Sequence, residues 1–191
     1  MPTVRLSADD WAVAAIEVIA LGGLGGLSVE GLARDLGVTK GSFYWHFADR
    51  SELVAAALEL WEQRATLDVV AELDSIGDPA KRLRALFEQS FGDEVNGLVD
   101  VALVTQVDEP IVGTVARRVT ARRIAFLERA FRDLGFTPAR AAIRARVAYS
   151  TYVGHFLVRR SLPDDAILSA PTHTYRRQLL ELLSSPAEAT R

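Results

Sequence analysis

The sequence predicts an all-α fold of about nine helices, on three observations. Apolar residues recur at i, i+3, i+4 and i+7 along most of the chain. No window alternates apolar and polar residues between turn formers, as a half-buried strand would. Glycines and prolines fall where helix ends are expected: Gly22-Gly23, Gly37, Gly77-Asp78-Pro79, Pro110, Gly135 and Pro138.

Taken in order, Trp11, Ala14, Ala15, Val18 and Ile19 form the first stripe, with Ser7 as N-cap and Asp10 three residues on. Ser28 caps a second helix through Leu36, Gly37 supplies a left-handed turn residue, and Thr39 caps a third ending near Phe47. A longer helix starts near Ser51 with Leu53, Ala57, Leu60 and Trp61 on one face, and fades before Gly77. Pro79 opens the stripe Leu83, Leu86, Phe87, Ser90 and Phe91, and Leu98 to Val107 is a short apolar helix. Pro110 begins a long helix marked by Val112, Val115, Val119, Phe126, Ala130, Phe131 and Leu134. Pro138 opens another through Arg160, and His173 to Leu183 forms the last.

The 191 residues are 49% hydrophobic and 25% charged, which fits one compact body and argues against disorder or low complexity. With no cysteine there is no disulfide, thiol nucleophile or cysteine-held zinc, which suits a cytoplasmic location. The start MPTVRLSADD lacks an apolar signal region, and no stretch is long and apolar enough for a bilayer, so no membrane partner is expected. The net charge of −3 conceals an asymmetry: −2 over residues 1–50, −9 over 51–109 and +8 over 110–191. A bulk positive field therefore cannot drive nucleic-acid binding, and a few placed groups would have to suffice.

Residues 28 to 47, SVEGLARDLGVTKGSFYWHF, have the anatomy of a helix-turn-helix: a capped helix, a glycine turn and a second helix. Leu32, Ala33, Leu36, Val38, Phe43 and Phe47 can close a small core on Trp11, Ala15 and Ile19. Lys40, Gly41, Ser42, Tyr44, Trp45 and His46 are left facing outward, a set of small, polar and aromatic groups suited to phosphates and base edges.

The stretch from Ser7 to Trp61, above all LGVTKGSFYWHFADRSEL, closely resembles the DNA-binding domain of the TetR (tetracycline repressor) family of transcriptional regulators. The resemblance implies a DNA-binding domain over residues 1–50 and a ligand-sensing and dimerisation domain over 51–191. It implies phosphate contacts from Tyr44 and His46, and from Arg50 where the family usually has lysine. Thr39, Lys40, Gly41, Ser42 and Trp45 fall where family members touch phosphates and bases, with Lys40 a candidate reader of guanine. Two departures stand out: only Arg5 precedes helix one as a minor-groove arm, and Gly31 weakens helix two. The acids Asp9, Asp10, Glu17 and Glu30 are expected to lie away from the DNA surface.

The resemblance further implies a homodimer on a two-fold, palindromic double-stranded DNA operator, released by a small hydrophobic or amphipathic effector. The pairing seam is expected from Ala141, Ala145, Ala148, Tyr152 and Phe156, completed by Leu179, Leu180, Leu182 and Leu183. The ligand-binding candidates are Phe87, Phe91, Leu103, Gln106, Phe126, Tyr149, Tyr152 and Phe156, aromatic and apolar groups with a few polar handles. The arginines Arg117, Arg118, Arg122 and Arg123 read as a solvated helix face balanced by the acidic middle third.

No enzyme is expected: metalloprotease, serine-hydrolase and phosphate-loop patterns are missing, and no cofactor is implied. A metal clasp would have to come from His155, His173 and Asp164 or Asp165, which lack short-range ligand spacing. The remaining alternative is a helical interaction or scaffold protein that no longer binds DNA; the intact Lys40, Tyr44, His46 and Arg50 argue against it.

Overall fold

A computed structural model describes residues 6–165 and 173–185, and for His173 the backbone alone. The described residues are helical without a strand. The elements are α1 (Ala8–Gly22), α2 (Val29–Asp35), α3 (Lys40–Phe43), α4 (Arg50–Glu62), α5 (Asp68–Asp74), α6 (Pro79–Gly92), α7 (Glu94–Val104), α8 (Pro110–Asp133), α9 (Pro138–Ser161) and α10 (His173–Ser184). A short 3₁₀ turn, Leu24–Gly26, follows α1, and a π turn, Gln63–Leu67, joins α4 to α5 without a break. With α4 and α5 taken as one helix, the described residues hold nine.

The helix ends follow local chemistry. At α1 the expected capping box forms: Asp10 N–H donates to Ser7 Oγ at 3.2 Å, and Ser7 N–H donates to Asp10 Oδ2 at 2.7 Å. Pro79, Pro110 and Pro138 each occupy the first turn of their helix, where a missing N–H costs nothing. The start of α4 is set by Asp49, whose carboxylate accepts from Glu52 N–H at 2.9 Å, rather than at Ser51.

Two cores divide the molecule. The first gathers Trp11, Ile19, Leu32, Phe43, Leu53 and Trp61 from α1 to α4 with Leu103 of α7 and Val112 and Val119 of α8. The second gathers Leu83, Phe87, Phe91, Phe131, Ala141, Ala145 and Phe156 from α6, α8 and α9, with Leu183 of α10. The 24 residues of α8, about 36 Å of helix, serve the first core with their N-terminal half and the second with their C-terminal half.

Arg117, Arg118 and Arg122 of α8 are exposed, as a solvated helix face requires, whereas Arg123 turns inward between the cores. Arg118 Nε donates to both oxygens of buried Glu62 at 2.9 and 3.0 Å, and Arg122 Nη1 donates to Oε1 at 3.0 Å. These bonds hold the Glu62 carboxyl below the usual carboxylate range despite its burial. Arg123 goes deeper: Nη1 donates to Asp100 Oδ2 at 2.6 Å, Nε to Thr66 Oγ1 at 3.0 Å, and Nη2 to the Ala65 carbonyl at 3.1 Å. Its guanidinium also lies over the Trp61 ring at 5.1 Å. The acidic middle third does balance these arginines, and Arg123 does so in the interior.

The expected pairing seam on α9 is corrected. Ala141, Ala145, Ala148, Tyr152 and Phe156 are all buried within this chain, packed on α6, α7 and α8. The opposite face of α9 carries Ile143, Val147, Leu157 and Val158 in solvent, and Leu182 of α10 is 75% exposed. Both faces of α9 are apolar, and the face with small residues lets neighbouring helices approach within one chain.

Candidate DNA interface and ligand cavity

The hairpin of α2 and α3 is shaped by its caps. Ser28 Oγ accepts from Gly31 N–H at 3.0 Å, and a Cβ on Gly31 would stand 2.7 Å from that hydroxyl. Gly31 therefore makes room for the cap, which accounts for a residue that looked merely weakening. At the turn, Val38 N–H reaches Ala33 O at 2.9 Å and Gly37 N–H reaches Arg34 O at 3.1 Å, the paired bonds of a Schellman ending with Gly37 at φ +68°.

Regular α-helix in α3 stops at Phe43, short of the expected Phe47. Tyr44, Trp45 and His46 continue as a tight turn, with His46 N–H on Phe43 O at 2.9 Å and Phe47 N–H on the same oxygen at 3.0 Å. Five consecutive aromatic rings, Phe43 to Phe47, have low helix propensity, and Phe43 and Phe47 both enter the core, edge to face with Trp11 at 5.4 Å in the case of Phe43. Thr39 holds the N-cap position, yet its hydroxyl accepts no capping bond.

The outward set is displayed as expected. Thr39, Lys40 and Gly41 are exposed, Ser42 and His46 are half-buried, Tyr44 is 56% exposed and Trp45 87%. Trp45 is thus free of α4. Lys40 is not free: its ammonium is paired with Glu30 across the hairpin, an interaction that raises the affinity of Lys40 for its proton and lowers that of Glu30. Glu30 accordingly lies beside the recognition residues, contrary to the expectation for the four acids. Asp10 is close enough for His46 to contribute to holding its carboxyl low, after the Ser7 bonds.

Arg50 is exposed, and its guanidinium also has partners within the chain. Its Nε donates to the Leu27 carbonyl at 2.9 Å, and its Nη2 to the Leu24 carbonyl, so the guanidinium ties α4 to the 3₁₀ turn. Arg5, the sole basic residue of the arm, falls outside the described residues.

A cavity of about 170 Å³ opens beside the second core, between the π turn, α5, α6, α8 and α9. Phe87, Phe91, Phe126, Tyr149 and Tyr152 line it, as do Arg64, Thr66, Asn96 and Arg123, which the sequence reading did not place there. Leu103, Gln106 and Phe156 do not. Leu103 belongs to the first core, Gln106 lies by Gly23 of the α1 turn, and Phe156 packs on the Gly97 backbone and against the Tyr152 and His155 rings.

The inner wall of the cavity is a hydrogen-bonded set. Tyr152 Oη donates to Asp100 Oδ2 at 2.7 Å, the same oxygen that Arg123 holds, and Tyr149 Oη lies 3.0 Å from Thr120 Oγ1. Burial and the Asp100 charge push the Tyr152 hydroxyl well up, so it remains a donor. For Arg123, burial opposes the charge, but Asp100 and Tyr152 more than offset it and the guanidinium stays ionised. The signal for this wall was present as a basic helix face in a chain with an acidic middle third. Only the fold shows which arginine turns inward.

Among the described residues, no three His, Asp or Glu side chains gather as a metal site. His155 is buried among Phe91, Phe156 and Tyr175, and the side chain of His173 lies outside what is described. No described helix is long and apolar enough to cross a membrane.

The architecture is that of a helix-turn-helix module seated on a helical body with a lined cavity. Residues 13–57 match the profile of the tetR family of bacterial regulatory proteins. That family is one of transcriptional regulators and not of enzymes. Among curated relatives, the chain is 33% identical over 73 residues to the regulator AcrR of Shigella flexneri, covering 38% of this chain and 34% of that protein. It is 28% identical over 109 residues to the regulator SrpR of Pseudomonas putida, covering 50% and 51%. The matches thus span about a third to a half of those relatives. Among solved structures, a transcriptional regulator from Rhodococcus sp. Rha1 superposes with TM-score 0.75 at 26% identity, over 94% of each chain. A TetR-family regulator from Agrobacterium tumefaciens gives TM-score 0.78 at 24% identity, covering 93% of this chain and 97% of that one.

Proposed function

We propose that the protein is a ligand-responsive transcriptional repressor that binds a palindromic operator as a homodimer and leaves it when a small molecule fills the cavity. The observation that carries the reading is the exposed Tyr44-Trp45-His46 turn beside Lys40, set on a buried Trp11–Phe43 core. Groups that face solvent on a rigid hairpin suit DNA contact. Residues 1–50 act as the DNA-binding unit and 51–191 as the sensing and dimerising unit, in the cytoplasm. Thr39, Gly41 and Ser42 approach the backbone, Lys40 reads a base once it leaves Glu30, and Arg50 steadies the hairpin in place of gripping phosphate.

The dimer forms through the outward face of α9. Ile143, Val147 and Val158 make an apolar stripe that a lone chain leaves in water, and Leu182 extends it. The effector acts through the joint of α4 and α5, because Arg123 touches the cavity wall, the π turn and Trp61 of the first core. Coupling of about 1–3 kcal/mol between cavity and hairpin would be ordinary for such a device. A structure of FadR from Bacillus subtilis in complex with stearoyl-CoA, at 16% identity and TM-score 0.71, supports the view that this fold accommodates an effector.

The reading is tested by titrating labelled fragments of the source genome with the purified protein at fixed salt. One or a few fragments should shift far below the concentration that shifts the bulk, as a dimer by sedimentation. Uniform retention of every fragment would contradict it.

A further inference from the structure

We infer that the cavity takes an uncharged ligand with a single aromatic ring and a hydrogen-bond acceptor, and that Arg123 is the residue that reads the acceptor. The inference rests on the cavity being the effector site proposed above and names the chemistry it selects.

Size comes first. A cavity of about 170 Å³ is close to the roughly 150 Å³ void that holds benzene in an engineered protein core. Its walls favour a flat ring: Phe87 and Phe91 are stacked at 5.7 Å with planes 23° apart, and Phe126 and Tyr149 join them.

Charge decides the rest. Arg123 spends three of its donors on Thr66, Ala65 and Asp100, the Tyr149 hydroxyl on the cavity wall is within reach of a fourth, and a guanidinium has five. Donor capacity therefore remains at the wall. The positive charge is already balanced by Asp100, which is 2% exposed and also holds Tyr152. A carboxylate would be a second anion on one neutralised guanidinium, leaving a net buried charge, which is costly. A cation would face the guanidinium directly. Arg64 at the cavity stands half in water and leans toward Asp9 at 3.8 Å, while Asp93 caps α7 through Asn96 N–H at 3.0 Å. Neither is a buried counter-ion. A neutral carbonyl or ether oxygen meets the spare donor without disturbing the Asp100 pair.

Four probes of matched size separate the cases by calorimetry on the wild-type protein: acetophenone, ethylbenzene, benzoate and benzylammonium. Acetophenone should bind about tenfold tighter than ethylbenzene, the effect of one hydrogen bond to a charged donor, and tighter than either ion. Val70→Trp, which fills the cavity from its half-exposed edge, should abolish all binding. Arg123→Lys, which retains a charge for Asp100 but loses the fork, should reduce acetophenone to the level of ethylbenzene. Should that variant fail to fold, the wild-type ranking decides. If benzoate binds tightest, or acetophenone and ethylbenzene bind alike and Val70→Trp removes both, the ligand class is wrong and the cavity reading stands. An unchanged acetophenone preference in folded Arg123→Lys removes Arg123 as the reader. If no probe binds, or binding survives Val70→Trp, the cavity reading falls and this inference with it.

Discussion

Lys40 of α3 is paired with Glu30 of α2, so the one lysine of the recognition segment is held by a carboxylate of its own hairpin. DNA must displace that carboxylate before Lys40 can meet a phosphate or a base, and the freed Glu30 then attracts a cation from solution. Glu30→Gln removes the competitor. Affinity for DNA should rise, and the slope of log K against log salt should steepen by about 1. Anisotropy titrations from low to physiological salt check this, and an unchanged slope would mean that Lys40 contributes no charge to the complex.

Tyr44 and Arg50 should separate contact from support. Tyr44 is 56% exposed, so Tyr44→Ala should leave stability within about 0.5 kcal/mol while weakening DNA binding about fivefold to tenfold. Arg50→Ala removes the bonds to the Leu27 and Leu24 carbonyls and should cost about 1–2 kcal/mol of stability. Urea denaturation beside a binding titration resolves the two, and a fully stable Arg50→Ala that binds poorly would restore Arg50 as a phosphate contact.

Asp100 is the only buried acid bonded to Arg123, through Nη1 at 2.6 Å, among the described residues. Asp100→Leu strands the guanidinium in the interior and should lower stability by about 3–5 kcal/mol. Tyr152→Phe deletes one donor to Asp100 and should cost closer to 1 kcal/mol. Reversed magnitudes in chemical denaturation would show that Tyr152, not the ion pair, organises this wall.

His155 predicts an acid limit on stability. Both ring nitrogens are buried without a hydrogen-bond partner, and Tyr175 stacks on the ring at 5.4 Å. Burial, then the charges of Arg159 on α9 and Arg176 on α10, hold its pKa below the ordinary 6.5. The unfolded chain therefore takes up a proton before the folded one does. Stability is complete above about pH 6.5 and declines as the pH falls toward the depressed folded value. His155→Phe should flatten that part of the profile, and identical wild-type and variant slopes between pH 7 and 5 would contradict the assignment.

The parts of this fold that were legible in the sequence are those fixed by short-range chemistry. Ser7 with Asp10, Gly37, and the prolines at positions 79, 110 and 138 each act within a turn or two of themselves. The inward Phe43 and Phe47 and the outward Tyr44 and Trp45 likewise follow from spacing, although the helix tightens after Phe43. The sidedness of α9 was not legible, because Ala141, Ala145 and Ala148 on one face and Ile143, Val147 and Val158 on the other are both apolar stripes. The intrachain bonds of Arg50 and Arg123 were not legible for a related reason. Their partners, backbone carbonyls at Leu27 and Ala65 and the carboxylate of Asp100, are brought to them by tertiary packing. The cavity follows the same rule: Phe87, Phe91, Phe126, Tyr149 and Tyr152 line it, whereas Leu103 and Phe156, equally apolar in the sequence, fill cores.

The central claim is that two copies of this hairpin read a two-fold DNA site, and selection from a random duplex library by the purified protein at stated salt tests it most directly. The account predicts recovery of one palindrome with half-sites about one helical turn apart, lost when Tyr44→Ala or Trp45→Ala is used in place of the wild type. Recovery of no sequence above background from a folded, ligand-free dimer would contradict it and favour a helical interaction protein that no longer binds DNA.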